Sequence, residues 1–111
     1  MEDLWAQIAE LRGRDERRSG AEEPVKELLL LTKVSEEANE AAEMYRRHKG
    51  WGTDGAVTAT LPMVQDEVCA AIMAGMVFLD RISRGTTADV WARYLEYGYL
   101  RAKRENALTE S

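Results

Sequence analysis

The fold is decided by residues 62–83, PMVQDEVCAAIMAGMVFLDRIS. This stretch begins with a proline, which suits the first turn of a helix because the missing N–H is not needed there. Apolar side chains would lie on nearly every side of the helix, so we expect it to be the most buried element. Its uncharged part, residues 68–79, is shorter than the roughly 20 residues that a membrane-spanning helix needs. The stretch therefore predicts the central helix of a soluble bundle.

Three further helices are predicted around this segment. The first covers residues 3–12, and the charged stretch 13–20 is predicted to be a loop. The second covers residues 24–48 and is followed by a glycine-rich connection. The last begins after Thr86, which forms a variant capping box with Asp89. Because alternating β-branched residues are absent, we predict no strands.

The bulk properties are those of a single folded domain. The chain has 111 residues, of which 45% are hydrophobic and 32% charged, so residues 1–111 are expected to form one domain. The net charge of −5 argues against duplex nucleic acid as a partner. A chain this small cannot easily cover a helix that is apolar all round. We therefore expect an all-α, four-helix bundle whose core is completed by homo-oligomerisation, as a homodimer or a dimer of dimers.

Scarce cysteine and histidine exclude two kinds of site. Cys69 and His48 are the only residues of their types, so neither an intrachain disulfide nor a zinc site with several such ligands can form in one chain. The first residues lack the basic start and apolar run of a signal peptide. A cytoplasmic location, without membrane contact, is the expectation that follows.

Glutamates interrupt two apolar helix surfaces. In the second helix, Glu37 lies on an otherwise apolar line, which is formed by Leu30, Val34, Ala41 and Met44. A glutamate in such a line is costly unless something pairs with it. Glu40, three residues later, can aim its carboxylate at the same point, and Glu67 lies within the apolar third helix. Carboxylates that meet between two helices repel, and a hard cation such as Mg²⁺ would relieve that repulsion.

The same glutamates also have a simpler interpretation. Acidic pairs at this spacing are common on exposed helices, and Glu36, Glu40 and Glu43 could be solvated charges. A buried Glu67 could be satisfied by an arginine, for which Arg81 and Arg101 are the candidates. The sequence alone leaves both interpretations open.

Residues 33–43, KVSEEANEAAE, resemble the EExxE helix of the MazG-like nucleotide pyrophosphohydrolases. Residues 66–77, DEVCAAIMAGMV, resemble the second helix of that family, and the resemblance covers about half the chain. It implies an all-α fold in which paired subunits form bundles. It also implies an enzyme that cleaves nucleoside triphosphates to the monophosphate and pyrophosphate with Mg²⁺, or alternatively Mn²⁺.

The resemblance also implies roles for individual residues. By position, Glu37, Glu40 and Glu67 would be metal ligands, and Glu36 would be a ligand or the group that orients the attacking water. The aspartate of the family's ExxD motif falls on Ala70, which cannot bind metal. Asp66, one helical turn earlier, is predicted to replace it through a water molecule.

The departure at Ala70 leaves two hypotheses about function. In the first, the protein is an Mg²⁺-dependent nucleoside triphosphate pyrophosphohydrolase that cleans the nucleotide pool. In the second, it is a non-catalytic helical protein that keeps a nucleotide or metal site, or only an interface. For substrate binding, Lys33 is the candidate for the phosphates and Trp51 for stacking on the base. Alternatively, Trp51 packs over the end of the bundle.

Overall fold

The structure, a computed structural model, describes residues 3–105. Within that range it contains no strand and four helices, which are α1 (Leu4–Arg18), α2 (Glu23–Lys49), α3 (Leu61–Ile82) and α4 (Thr87–Arg104). The all-α prediction is confirmed. The bounds of α2 and α3, and the start of α4, lie within one or two residues of the predicted positions.

The first helix is longer than predicted, because most of the charged stretch 13–20 is helical. Arg12 and Glu16 form an ion pair one turn apart at 3.0 Å. Arg12 Nε also donates to Asp80 of α3 at 2.7 Å, and Glu16 accepts a hydrogen bond from Arg81 Nη1 at 2.7 Å. These interhelical bonds hold the second half of α1 against α3. The prediction of a loop over these residues is wrong for that reason.

The helix ends follow local rules at α2 and α3 but not at α4. The chain leaves α2 through Gly50, whose φ of 70° is left-handed and favours glycine. Thr60 caps α3, since its hydroxyl accepts a hydrogen bond from the N–H at the third helical position. The capping box predicted for Thr86 and Asp89 does not form. The Thr86 hydroxyl donates instead to the carbonyl of Ser83 at 2.9 Å.

The helices α2 and α3 form the main pair, and α1 packs on α3. Few apolar residues are buried within residues 3–105, namely Ile8, Ala59, Val64, Ala74 and Val77. Three of these five lie in α3, which is therefore the most buried helix, as predicted. Other positions of α3 are nevertheless exposed, among them Cys69 and Ile72.

By length and composition alone, α3 is apolar enough to cross a membrane, a test that core helices of soluble proteins also pass. Two charged residues near its C-terminal end, Asp80 and Arg81, are buried. Both are ion-paired with neighbouring helices, Asp80 with α1 and Arg81 with α1 and α2. The helix is thus tied to the rest of the chain through charged groups as well as apolar ones.

The fourth helix has little contact with the others beyond its first turn. There the Thr87 hydroxyl donates to Asp80 Oδ1 at 2.6 Å. Every residue in the range 91–101 is exposed, including the large rings of Tyr94 and Tyr97. The radius of gyration is 17.5 Å, whereas a compact domain of this length has about 13 Å. The single chain therefore leaves much apolar surface uncovered.

Candidate metal centre

Three of the predicted ligands meet where α2 packs against α3. One carboxylate oxygen from each of Glu37, Glu40 and Glu67 lies within 4.8 Å of the other two. The spacing of three residues places the first two on one side of α2, facing the third on α3. Glu37 and Glu67 are partly buried and Glu40 is exposed, so the cluster is open to solvent on one side.

Glu67 carries an unsatisfied atom. Its Oε2 is buried and has no hydrogen-bond partner among the described residues. A buried carboxylate oxygen without a donor or a cation is costly. Neither proposed arginine supplies one, because Arg81 binds carboxylates of α1 and α2 and Arg101 pairs with Glu105. The simpler interpretation, in which one of these arginines satisfies Glu67, is therefore wrong.

The three carboxylates are a donor set that suits a hard divalent cation. Mg²⁺ and Mn²⁺ prefer oxygen ligands, and Mg²⁺ commonly keeps several waters beside a few carboxylates. A cation would also offset the mutual repulsion of the three charges. The unpartnered oxygen of Glu67 can serve as a ligand for such an ion. The three residues therefore fit a divalent cation, which is the cofactor that the family resemblance implies.

A cavity of about 190 Å³ adjoins the cluster and is lined in part by Glu40, Glu67 and Glu43. Glu43 differs from the other two because its negative charge is already paired with two arginines. Arg46 donates to it at 2.8 Å and Arg47 lies at 3.7 Å. The hydrogen bond from Arg46 lowers the pKa of Glu43 and keeps this carboxyl ionised.

The position of the missing aspartate lies beside the cluster. Ala70 lines a small cavity of about 110 Å³ together with Lys33 and Glu37, and the rest of the lining is apolar. Glu36 and Asp66 are exposed and lie outside the group of three carboxylates. The role of Glu36 with water and the replacement of the aspartate by Asp66 stay predictions.

Trp51 lies in the connection between α2 and α3, where its side chain is 63% exposed. Its ring meets that of Tyr45 edge to face, with 5.6 Å between the ring centroids. Nearby, His48 Nδ1 donates to the carbonyl of Ala59 at 3.0 Å and joins the connection to α2. The tryptophan is thus mostly exposed rather than packed over the end of the bundle, and base stacking stays a prediction.

Sequence reasoning missed a second charged group of residues near the C-terminal end of α3. The side chain of Arg81 is only 7% exposed and donates to three carboxylates. These are Glu16 at 2.7 Å, Glu23 at 2.6 Å and Glu27 at 3.3 Å. The hydrogen bonds to Glu16 and Glu23 raise the pKa of Arg81 above its already high ordinary value. The available signal was the charged pair Asp80-Arg81 in an apolar helix.

Comparisons of the chain with protein-family models, with curated proteins and with solved structures found no match. The resemblance to the MazG-like family therefore rests on the motif residues of α2 and α3. The all-helical architecture agrees with that resemblance but does not identify the family.

Proposed function

We propose that the protein is a MazG-like, Mg²⁺-dependent hydrolase that releases pyrophosphate and a monophosphate from nucleoside triphosphates. Its role would be to remove unwanted nucleotides from the pool. One observation carries the proposal: Glu37, Glu40 and Glu67 meet within 4.8 Å, and one oxygen of Glu67 is buried without a partner. No ion pair within residues 3–105 includes any of these three carboxylates, and the two candidate arginines, Arg81 and Arg101, are engaged elsewhere.

The residues of α2 and α3 divide the work in this proposal. Glu37, Glu40 and Glu67 would hold Mg²⁺ or Mn²⁺. When bound, the cation would supply positive charge that offsets the phosphates and lowers the pKa of water. Glu36, which is exposed and precedes Glu37 in the chain, would orient the attacking water. Lys33, one turn before Glu37, would place an ammonium group near the phosphates.

A second function is favoured by Ala70. The small cavity beside Glu37 lacks the carboxylate that the family places there, so one ligand is missing. A cluster of three carboxylates can bind a cation and a nucleotide without arranging water for attack. In that case the protein would be a non-catalytic nucleotide-binding or metal-binding module.

Pyrophosphate release from a panel of canonical and modified nucleoside triphosphates separates the two functions. With Mg²⁺ or Mn²⁺ present we expect release by the wild type and a loss of roughly 10²-fold or more in Glu67→Gln. Glu10→Gln, at an exposed position of α1, is the matched control and should keep full activity. Metal binding without release from any nucleotide would contradict hydrolysis and favour the binding module.

We further propose a cytoplasmic homo-oligomer built on a two-fold dimer. An apolar cavity of about 540 Å³ lies between α1, α3 and α4, with Trp5, Met76 and Trp91 on its walls. Trp91 also stacks on the exposed Tyr94 of α4, with 6.3 Å between the ring centroids. Burial of such surface is the main driving force for association. A second copy would supply the layer that the single chain lacks on α3.

A further inference from the structure

We infer that a cationic groove between α1 and α2 binds the terminal phosphates of the nucleotide and so selects for a triphosphate. The inference rests on the proposed function, because it places the phosphate to be cleaved at the cluster of glutamates. The groove has a volume of about 390 Å³ and is formed by the C-terminal half of α1 and the first half of α2. Its basic residues are Arg14, Arg18, Lys26 and Lys33.

The groove is basic in a protein that is acidic overall. Its two acidic residues are already paired, Asp15 with Arg14 at 3.4 Å and Glu16 with arginines that lie outside the groove. Arg18 and Lys33 make no ion pair within residues 3–105. Lys26 pairs with Glu23 at 3.5 Å, so an anion that enters the groove meets two positive charges, those of Arg18 and Lys33, that no ion pair in the described chain offsets.

Lys33 joins the groove to the candidate metal centre. It lines the groove and also the small cavity that contains Glu37 and Ala70. At 1.5 Å of rise per residue, Lys33 lies about 6 Å from Glu37 along the axis of α2, and Lys26 lies about 10 Å beyond. A phosphate chain that begins at the cluster can thus extend past Lys33 into the near end of the groove.

The lining suits a chain of phosphates rather than a single compact anion. Ammonium and guanidinium groups both bind phosphate oxygens, and here they are distributed along the groove. A monophosphate at the cluster occupies only the start of this path, whereas the second and third phosphates of a triphosphate extend along it past Lys33 towards the groove. The groove therefore adds affinity only for the longer chain.

The first test uses the whole protein and inorganic tripolyphosphate, titrated calorimetrically at low salt without added metal. We expect the wild type to bind it, and Arg18→Gln and Lys33→Gln each to weaken binding about five- to tenfold. Arg17→Gln removes the same charge from an exposed neighbour outside the groove and should leave the affinity unchanged. Added salt should weaken binding in all four proteins.

A second readout separates this inference from the proposed function. If nucleotides are hydrolysed, the preference in kcat/KM for triphosphate over diphosphate should fall about five- to tenfold in Arg18→Gln but not in Arg17→Gln. Equal tripolyphosphate affinity in the wild type and both groove variants, or no binding at all, overturns the groove even if hydrolysis is found. If tripolyphosphate binding is lost only in Arg18→Gln and Lys33→Gln, and the protein hydrolyses no nucleotide, the result supports the groove and rejects the hydrolase.

Discussion

At the scale of single residues, Ala70 is the position at which the chain departs from the MazG-like motif that it otherwise resembles. This alanine presents only a methyl group to the cavity that it shares with Glu37 and Lys33. An aspartate there would add a fourth carboxylate to the three that already meet. The affinity of a carboxylate site for a hard cation rises with the number of charged ligands and with how well they are held. Ala70 is therefore expected to weaken the site without removing it.

Ala70→Asp should raise the affinity for Mg²⁺ about tenfold or more and raise or create pyrophosphohydrolase activity. The new carboxylate would lie one turn after Glu67, on the same side of α3. Without metal, the added charge should destabilise the fold by several kcal/mol in order of magnitude. Calorimetric titration of Mg²⁺ into the variant, with folding checked by circular dichroism, measures the gain.

Asp66→Asn is the companion variant. Loss of activity that Ala70→Asp restores in the double variant would identify Asp66 as the substitute ligand. A folded Ala70→Asp protein that gains neither metal affinity nor turnover would contradict the interpretation of the three glutamates as a metal site.

At the scale of helices, charged residues rather than apolar packing hold the end of α1 in place. Ile8 is the only buried residue that α1 contributes within the described range. The two oxygens of Asp80 accept hydrogen bonds from Arg12 of α1 and Thr87 of α4. The adjacent Arg81 binds α1 and α2. The attachment of α1 should therefore depend on whether the carboxyl of Glu16 is ionised.

Glu16 makes this attachment dependent on pH. Burial raises the pKa of Glu16, but hydrogen bonds from Arg81 and Arg12 outweigh that effect and lower the pKa below its ordinary value of 4.5. The unfolded chain then binds more protons, so the stabilisation is complete above about pH 4.5 and is lost as the pH falls through the folded-state pKa. The free energy of unfolding should fall with acidification in the wild type and fall less steeply in Glu16→Gln.

Urea denaturation at a series of pH values measures this effect, with Glu10→Gln as the control for loss of one exposed carboxyl. If the wild type and Glu16→Gln lose stability in parallel below about pH 4.5, Glu16 does not provide the ionic attachment of α1.

Local sequence features predicted three of the four helices well. Pro24, Gly50 and Pro62 mark ends of α2 and α3, because proline and glycine have local conformational effects. The meeting of the glutamates was also predictable, since a carboxylate in an apolar line has few explanations. The helical second half of α1 and the cationic groove were not predictable from the sequence. Arg12 pairs with a residue 68 positions away, and Glu16 with one 65 positions away, so no local pattern reveals either contact.

At the scale of the whole molecule, the other three described helices do not enclose α3. The radius of gyration of 17.5 Å and the exposed apolar side chains of α4 both indicate surface that remains to be buried. Exposed apolar patches of this kind usually mark interfaces. Light scattering at micromolar concentration should therefore show a dimer or a larger even-numbered assembly. A stable monomer under those conditions would contradict the proposed assembly.

The central claim is that the glutamates of α2 and α3 bind a divalent cation, and the melting temperature with and without Mg²⁺ or Mn²⁺ tests it most directly. Binding to the folded state alone at a hundredfold excess over Kd contributes about 2.7 kcal/mol, which corresponds to a rise of several degrees or more. We predict that rise for the wild type and for Glu10→Gln, and its loss in a folded Glu67→Gln protein. A wild-type melting temperature that neither ion changes would contradict metal binding by this cluster, and with it the proposed hydrolase.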